Sequence, residues 1–287
     1  MGMQINTNTA ANNAFRALSN TQNDLSKSLE KLSSGLRINR AADDAAGLSI
    51  SEGLRSQVSG LGVAQRNAQD GISVIQTAEG ALTEVHSILH RMRDLAVQGG
   101  NDSNNAQSRT AIKTEADALG EELARITSST NFNGIKLLDG TAGTAGVISL
   151  QVGADGAADN TISVNLGDAN ASINGGGPVF SSVTGATGFN VATSAGATTT
   201  VAALDVAIAA VSAQRSELGA SQNRLESAGK SLAVSKENLA AAESRIRDTD
   251  MAEEMVKFTK ANILSQAGVS MLAQANQSTQ SVLKLLG

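Results

Sequence analysis

Three places in this sequence bring together residue types that chemistry uses. Gly229-Lys230-Ser231 matches the end of a phosphate-binding loop, where backbone N–H groups and a lysine cradle phosphate oxygens. Such a loop needs a glycine five residues before Gly229, and Arg224 stands there instead. His86 and His90 are four residues apart, one helical turn, and could offer two imidazoles to one metal ion. Between them lie Ser87, Ile88 and Leu89, without the glutamate of a zinc-protease motif, and no third ligand is evident. Two exposed helix histidines are the expectation, and no metal site. Asp43-Asp44 resembles a carboxylate pair, but adjacent residues on a loop usually point apart. A structural or intersubunit role near Arg37 and Arg40 is expected for them. The chain has no cysteine, which excludes thiolate chemistry and disulfides. Residues 141 to 200 contain no His, Cys, Lys, Arg or Glu, so no catalytic centre fits there. Neither catalytic nor cofactor-binding residues are expected, and the chain reads as no enzyme.

The elements that would carry these residues are long helices. Leu204, Val211, Leu218, Leu225, Leu232, Leu239 and Ile246 repeat every seven residues, predicting a helix of roughly 65 Å. The companion positions are small or polar: Ala207, Gln214, Ser221, Ala228, Ser235 and Ala242. A seam so narrow needs other helices against it. Leu54, Leu61, Ala68, Ile75, Leu82, Leu89 and Ala96 form a second ladder; Ile112, Leu119 and Ile126 form a third. From Thr9 a further helix carries Phe15, Leu18, Leu25, Leu29, Leu32 and Leu36, and Met251 to Leu286 is again amphipathic.

Composition agrees with an elongated helical chain. The only aromatic side chains are five Phe, and Pro178 is the single proline, so large rings cannot dominate the core. The net charge of -5 mixes both signs and argues against nucleic acid as a partner. No apolar run approaches the ~20 residues of a membrane span. The segment from Met1 to Ala11 lacks the apolar stretch of a secretory signal. The chain either stays inside the cell or leaves by a route that reads no such signal.

The middle differs. Asn131-Phe132-Asn133-Gly134 is a tight-turn signal, followed by β-like alternation in Ile135 to Leu138, Val147 to Val152 and Thr161 to Leu166. Residues 141 to 204 hold no Lys or Arg and three acids, predicting a small hairpin region and then a thinly packed loop to about Thr200. The fold expected is mainly α: a long antiparallel coiled-coil bundle of the N- and C-terminal regions, with a small β-hairpin region between. The terminal stripes either pack within the chain or wait for a polymer.

The run Leu32-Ser33-Ser34-Gly35-Leu36-Arg37-Ile38-Asn39, then Ala42-Asp43-Asp44-Ala45-Ala46-Gly47-Leu48, resembles the N-terminal signature of bacterial flagellin. Gln65 to Gly71 and Ile75 to Leu82 do the same. Glu243 to Ala252 and Gln274-Ala275-Asn276-Gln277 resemble its C-terminal signature. The resemblance covers about residues 3 to 140 and 200 to 287. It implies a short flagellin, a subunit of the bacterial flagellar filament, exported unfolded and polymerised into a helical homopolymer outside the cell for motility. It implies terminal helices 1–45 and 250–287 in the inner filament core, a helical rod of 46–140 and 200–249, and a short outward region at 141–199. The apolar stripes supply the expected polymerisation seams, Leu18, Leu25, Leu32, Leu36, Leu264, Met271, Val282 and Leu285. Implied partners are an export chaperone on Met251 to Gly287, filament cap and junction proteins, and the animal Toll-like receptor that senses flagellin. No membrane insertion is implied. For that receptor, His90 to Gln98 resembles the recognised segment, with Arg91, Leu95 and Glu115 as the contacts. The chain departs from the family pattern at Thr279, where proline is common, at Asp94, where Glu is, and in Met1-Gly2-Met3-Gln4 ahead of Ile5. A hook-filament junction protein is the alternative within this class, and a soluble coiled-coil binding module the alternative outside it.

Overall fold

The computed structural model describes residues 8–168 and 189–286, the side chains of 278–286 excepted. Val282 and Leu285 therefore lie outside the described side chains, and Pro178 outside the described residues. Helices α1 (Thr9–Ser34), α2 (Ala45–Gly99) and α3 (Ala106–Ser129) come first. Strands β1 (Asn131–Phe132), β2 (Ile135–Lys136), β3 (Val147–Gln151) and β4 (Thr161–Asn165) follow, with a 3-10 turn at Ala158–Asn160 before β4. Helices α4 (Ser194–Arg247) and α5 (Met251–Leu286) complete the chain.

Each helix starts where a short polar side chain can accept an orphan N–H group. Asn8 accepts from Ala11 N at 3.0 Å, Asp44 from Gly47 N at 2.8 Å and Asn105 from Ser108 N at 2.8 Å. Thr193 accepts from Gly196 N at 3.1 Å, and Asp250 from Ala252 N at 2.9 Å. The cap at Thr193 starts α4 at Ser194, nearly two turns before the expected point near Thr200. The hydroxyls of Thr198 and Thr200 then bond back to the carbonyls four residues earlier, at 3.0 and 2.9 Å. That back-bonding satisfies threonine hydroxyls inside the first turns of the helix.

The chain divides into two compact units, one of Met1–Ser56 with Asn238–Gly287 and one of Gln57–Glu237. In the second unit the ladders close on each other as their spacing predicts. Ile75, Leu82 and Leu89 of α2, Leu123 of α3, and Leu204, Val211, Leu218 and Leu225 of α4 are almost fully buried in one cluster. Each such side chain contributes ~1.5–3 kcal/mol by leaving water. The hairpin of β3 and β4, in register Val147↔Asn165 to Gln151↔Thr161, turns Ile162 and Val164 into the same cluster. Asn67 ties it to α2, donating from Nδ2 to Gln151 O at 3.0 Å. Gly71 permits this approach. A Cβ there would overlap the Leu150 side chain and lie 3.3 Å from Leu225 Cδ1. Asn133 and Gly134 turn β1 into β2 with φ of 49° and 80°, the paired left-handed residues of a tight hairpin turn. The expected thinly packed loop is wrong at one end. Phe189 and Val191 are buried in the core beside Ala197.

Among the described residues one helix, α4, is long and apolar enough by length and composition to cross a membrane. Its ladder residues Leu204 to Leu225 are instead buried in the core.

Candidate interaction surfaces

In the first unit α1 and α5 pair antiparallel. Near one end Asn8 Nδ2 donates to Ala275 O at 3.1 Å. Further along, a Cβ added to Gly268 would lie 3.2 Å from Leu18 Cδ1. At the other end Leu36 bridges Asp248, with Arg37 N donating to Arg247 O at 2.6 Å and Thr249 N to Gly35 O at 2.9 Å. The Arg37 guanidinium donates to Ile246 O at 2.6 Å. Arg247 pairs with Glu52 at 2.6 Å.

The loop between α1 and α2 has a simple electrical logic. Asp43 accepts from Arg40 N at 3.0 Å and from Asn39 N at 3.2 Å. These bonds, the one from Arg40 first, hold its carboxyl below the ordinary range. Asp44 turns the other way to cap α2 and approaches Arg37 at 4.0 Å. The two carboxylates serve the backbone and form no pair.

Of the expected seam residues, Leu18 is buried, and Leu25, Leu32 and Leu36 are half-buried. Leu264 and Met271 are exposed. The inward face of α5 runs instead through Glu254, Ala261, Gly268 and Ala275, with Phe258, Ser265 and Leu272 between them. The first four also repeat every seven residues, but they are small or polar, so a search for apolar spacing passes over them. Glu254 is buried at 6 % exposure, 3.7 Å from Lys257. Several large apolar groups of the pair stay in water. Phe15 is 62 % exposed, Val256 69 % and Met271 66 %. Met255, Val256, Ile263 and Leu264 line one open apolar depression on α5.

In the second unit Arg91 of α2 and Glu115 of α3 form a surface ion pair, Nη2 to Oε1 at 2.5 Å. Arg93 pairs with Asp205 of α4 at 2.5 Å, so successive arginines tie α2 to two different helices. Leu95 is 1 % exposed and packs in the core. It belongs to the buried row Met92, Leu95 and Gly99 and offers no surface beside Arg91. Among the described residues no group of three or more His, Cys, Asp or Glu converges.

Residues 5–143 match the bacterial flagellin N-terminal helical region, and residues 201–286 the bacterial flagellin C-terminal helical region. The chain belongs to the bacterial flagellin family. A flagellin of Halalkalibacterium halodurans is 51 % identical over 284 residues, covering 99 % of this chain and 100 % of that one. A flagellin of Bacillus subtilis is 50 % identical over 305 residues, covering 99 % and 100 %. A putative flagellar hook-associated protein of Vibrio parahaemolyticus shares the fold, with a TM-score of 0.60 at 19 % identity over 72 % of this chain and 100 % of that one.

Flagellins are structural proteins and not enzymes, so the surfaces above are read as contacts. The relatives at half identity over the whole chain are flagellins. The likeness to the hook-associated protein extends to the fold alone.

Proposed function

We propose that this chain, a structural subunit of the extracellular flagellar filament, is exported unfolded and builds the filament's inner core from its terminal helix pair. One observation carries the reading: beside the Leu18, Leu25 and Leu32 contacts that hold the α1–α5 pair, several large apolar side chains remain in water. Phe15, Val256, Ile263 and Met271 are each at least 61 % exposed. Neighbouring copies would bury them, each contributing ~1.5–3 kcal/mol, and that gain offsets the entropy of ordering the terminal segments. On this reading 1–45 and 250–287 form the inner core, 46–140 and 200–249 the rod, and 141–199 the outer face. Leu264 and Met271 act between copies, whereas Leu18, Leu25 and Leu32 hold α1 to α5. Before export a chaperone covers the same apolar stripe on Met251 to Gly287, and cap and junction proteins meet the chain at the filament ends. Electron microscopy of the purified chain seeded with filament fragments tests the reading. Long filaments of the chain alone are expected. A chain that stays monomeric under seeding, or that only caps the seeds as a junction protein would, overturns it.

A second reading rests on the exposed Arg91–Glu115 pair. Its place in the segment resembling the one read by the flagellin-sensing Toll-like receptor supports that receptor as a partner of the released monomer. Leu95 then acts by packing α2 beneath the contact. An interface arginine commonly contributes at least ~2 kcal/mol, about thirtyfold in affinity. A receptor-reporter titration is expected to weaken by that order for Arg91→Ala and not for Lys230→Ala. Equal potency of the two variants overturns it.

A further inference from the structure

The two histidines of the chain, His86 and His90, converge. Their Nε2 atoms are 2.9 Å apart, and the rings meet edge to face with centroids at 4.5 Å. In the free protein one ring N–H donates to the other ring's lone pair. The same spacing has a second use. Two imidazole nitrogens bound cis to one metal ion, each about 2.0–2.1 Å from it and at a right angle, are about 2.9 Å apart. A tetrahedral angle would need about 3.3 Å. We propose that His86 and His90 form a two-point site for a divalent transition ion of tetragonal preference, Cu2+ above all.

Four observations support the site. His90 is exposed and His86 half-buried, so water can reach the Nε2 atoms and fill the remaining coordination positions. With no third ligand among the described residues, a closed four-ligand zinc site is excluded there, and an ion content with two imidazoles is selected. The positive Arg215 is paired with Glu79 at 2.7 Å, which blunts its repulsion of an incoming cation. Binding at both Nε2 atoms leaves each ring proton on Nδ1. His86 Nδ1 is buried without a partner already, so the metal adds no new unmatched polar atom.

The test is calorimetric titration of the full-length monomer with Cu2+, together with electron paramagnetic resonance of the loaded chain. One equivalent of Cu2+ with two nitrogen donors is expected. Either His86→Ala or His90→Ala should weaken it by at least about tenfold, and Zn2+ should bind the unaltered chain less tightly than Cu2+. His90 is exposed, so His90→Ala keeps the fold even if His86→Ala disturbs it. Copper affinity unchanged in His90→Ala, with the donor set unaltered, places the ion elsewhere and overturns the proposal.

Discussion

The two compact units use their apolar residues in opposite ways. In the Gln57–Glu237 unit the seven-residue ladders of three helices and one hairpin meet, and Leu82, Leu123, Leu218 and Val211 lose all contact with water. In the terminal unit α1 and α5 meet along one stripe each, Leu18, Leu25 and Leu32 against a face of α5 in which Glu254, Ala261, Gly268 and Ala275 alternate with Phe258, Ser265 and Leu272, and Phe15, Val256 and Met271 stay outside. A helix pair needs a partner on every apolar stripe, and a two-helix contact supplies one stripe each. The Gln57–Glu237 unit is finished as a monomer. The terminal unit carries the apolar surface of an unfinished one.

The largest expected effect comes from cutting between them. A chain lacking residues 1–40 and 251–287 should keep its helical circular dichroism and a cooperative melt, and should form no filament under seeding. Long filaments from that chain would end the contrast. Within the finished unit, Leu225→Asp should cost ~4 kcal/mol or more by burying an unpaired carboxylate. Further along the same helix, the exposed Val234 replaced by Asp should leave monomer stability within ~0.5 kcal/mol; thermal melts of both variants decide this. In the terminal unit Val256→Asp should leave the monomer's melt equally unmoved yet suppress filament growth by light scattering. Asp44→Ala, which removes the α2 cap, should cost about 1 kcal/mol, recovered largely by Asp44→Ser. The smallest effect concerns Asp43, whose folded-state pKa is depressed. Its stabilisation is present above the ordinary value of about 3.9 and lost as the pH falls through the folded one. Asp43→Asn should flatten that acid limb in a pH series of melts.

Sequence reading succeeded where one residue class carried the signal. Leucines at 204, 218 and 225, with Val211 between them, announced a buried face because nothing else in their unit competes with it. The Asn133-Gly134 turn was legible because few residues other than Asn and Gly adopt left-handed backbone readily. Reading failed where the contact is made by unremarkable side chains. The row Glu254, Ala261, Gly268 and Ala275, which faces α1, carries no large apolar residue to mark it by spacing. Leu95 is expected at a surface contact with Arg91 by resemblance of the segment, yet it is buried while Arg91 is exposed. A helix that turns 100° per residue leaves the two about 40° apart, and that rotation carries Leu95 from the rim into the core. Phe189 and Val191 were lost in a stretch of Gly, Ser and Thr that gives no periodicity to count.

A ladder repeating every seven residues has no built-in scale: each rung resembles the next, and a slip by one heptad costs little in apolar matching. Gln214 of α4 removes that degeneracy. It occupies a buried rung between Val211 and Leu218, and its Nε2 donates to Leu166 O at the end of β4. Moved seven residues either way, the carbonyl would face Ala207 or Ser221, side chains too short to reach it as Gln214 does. One amide thus serves as the index mark on a ruler otherwise without numerals, as a single polar rung does in other helical seams. The hairpin is held at one notch along α4.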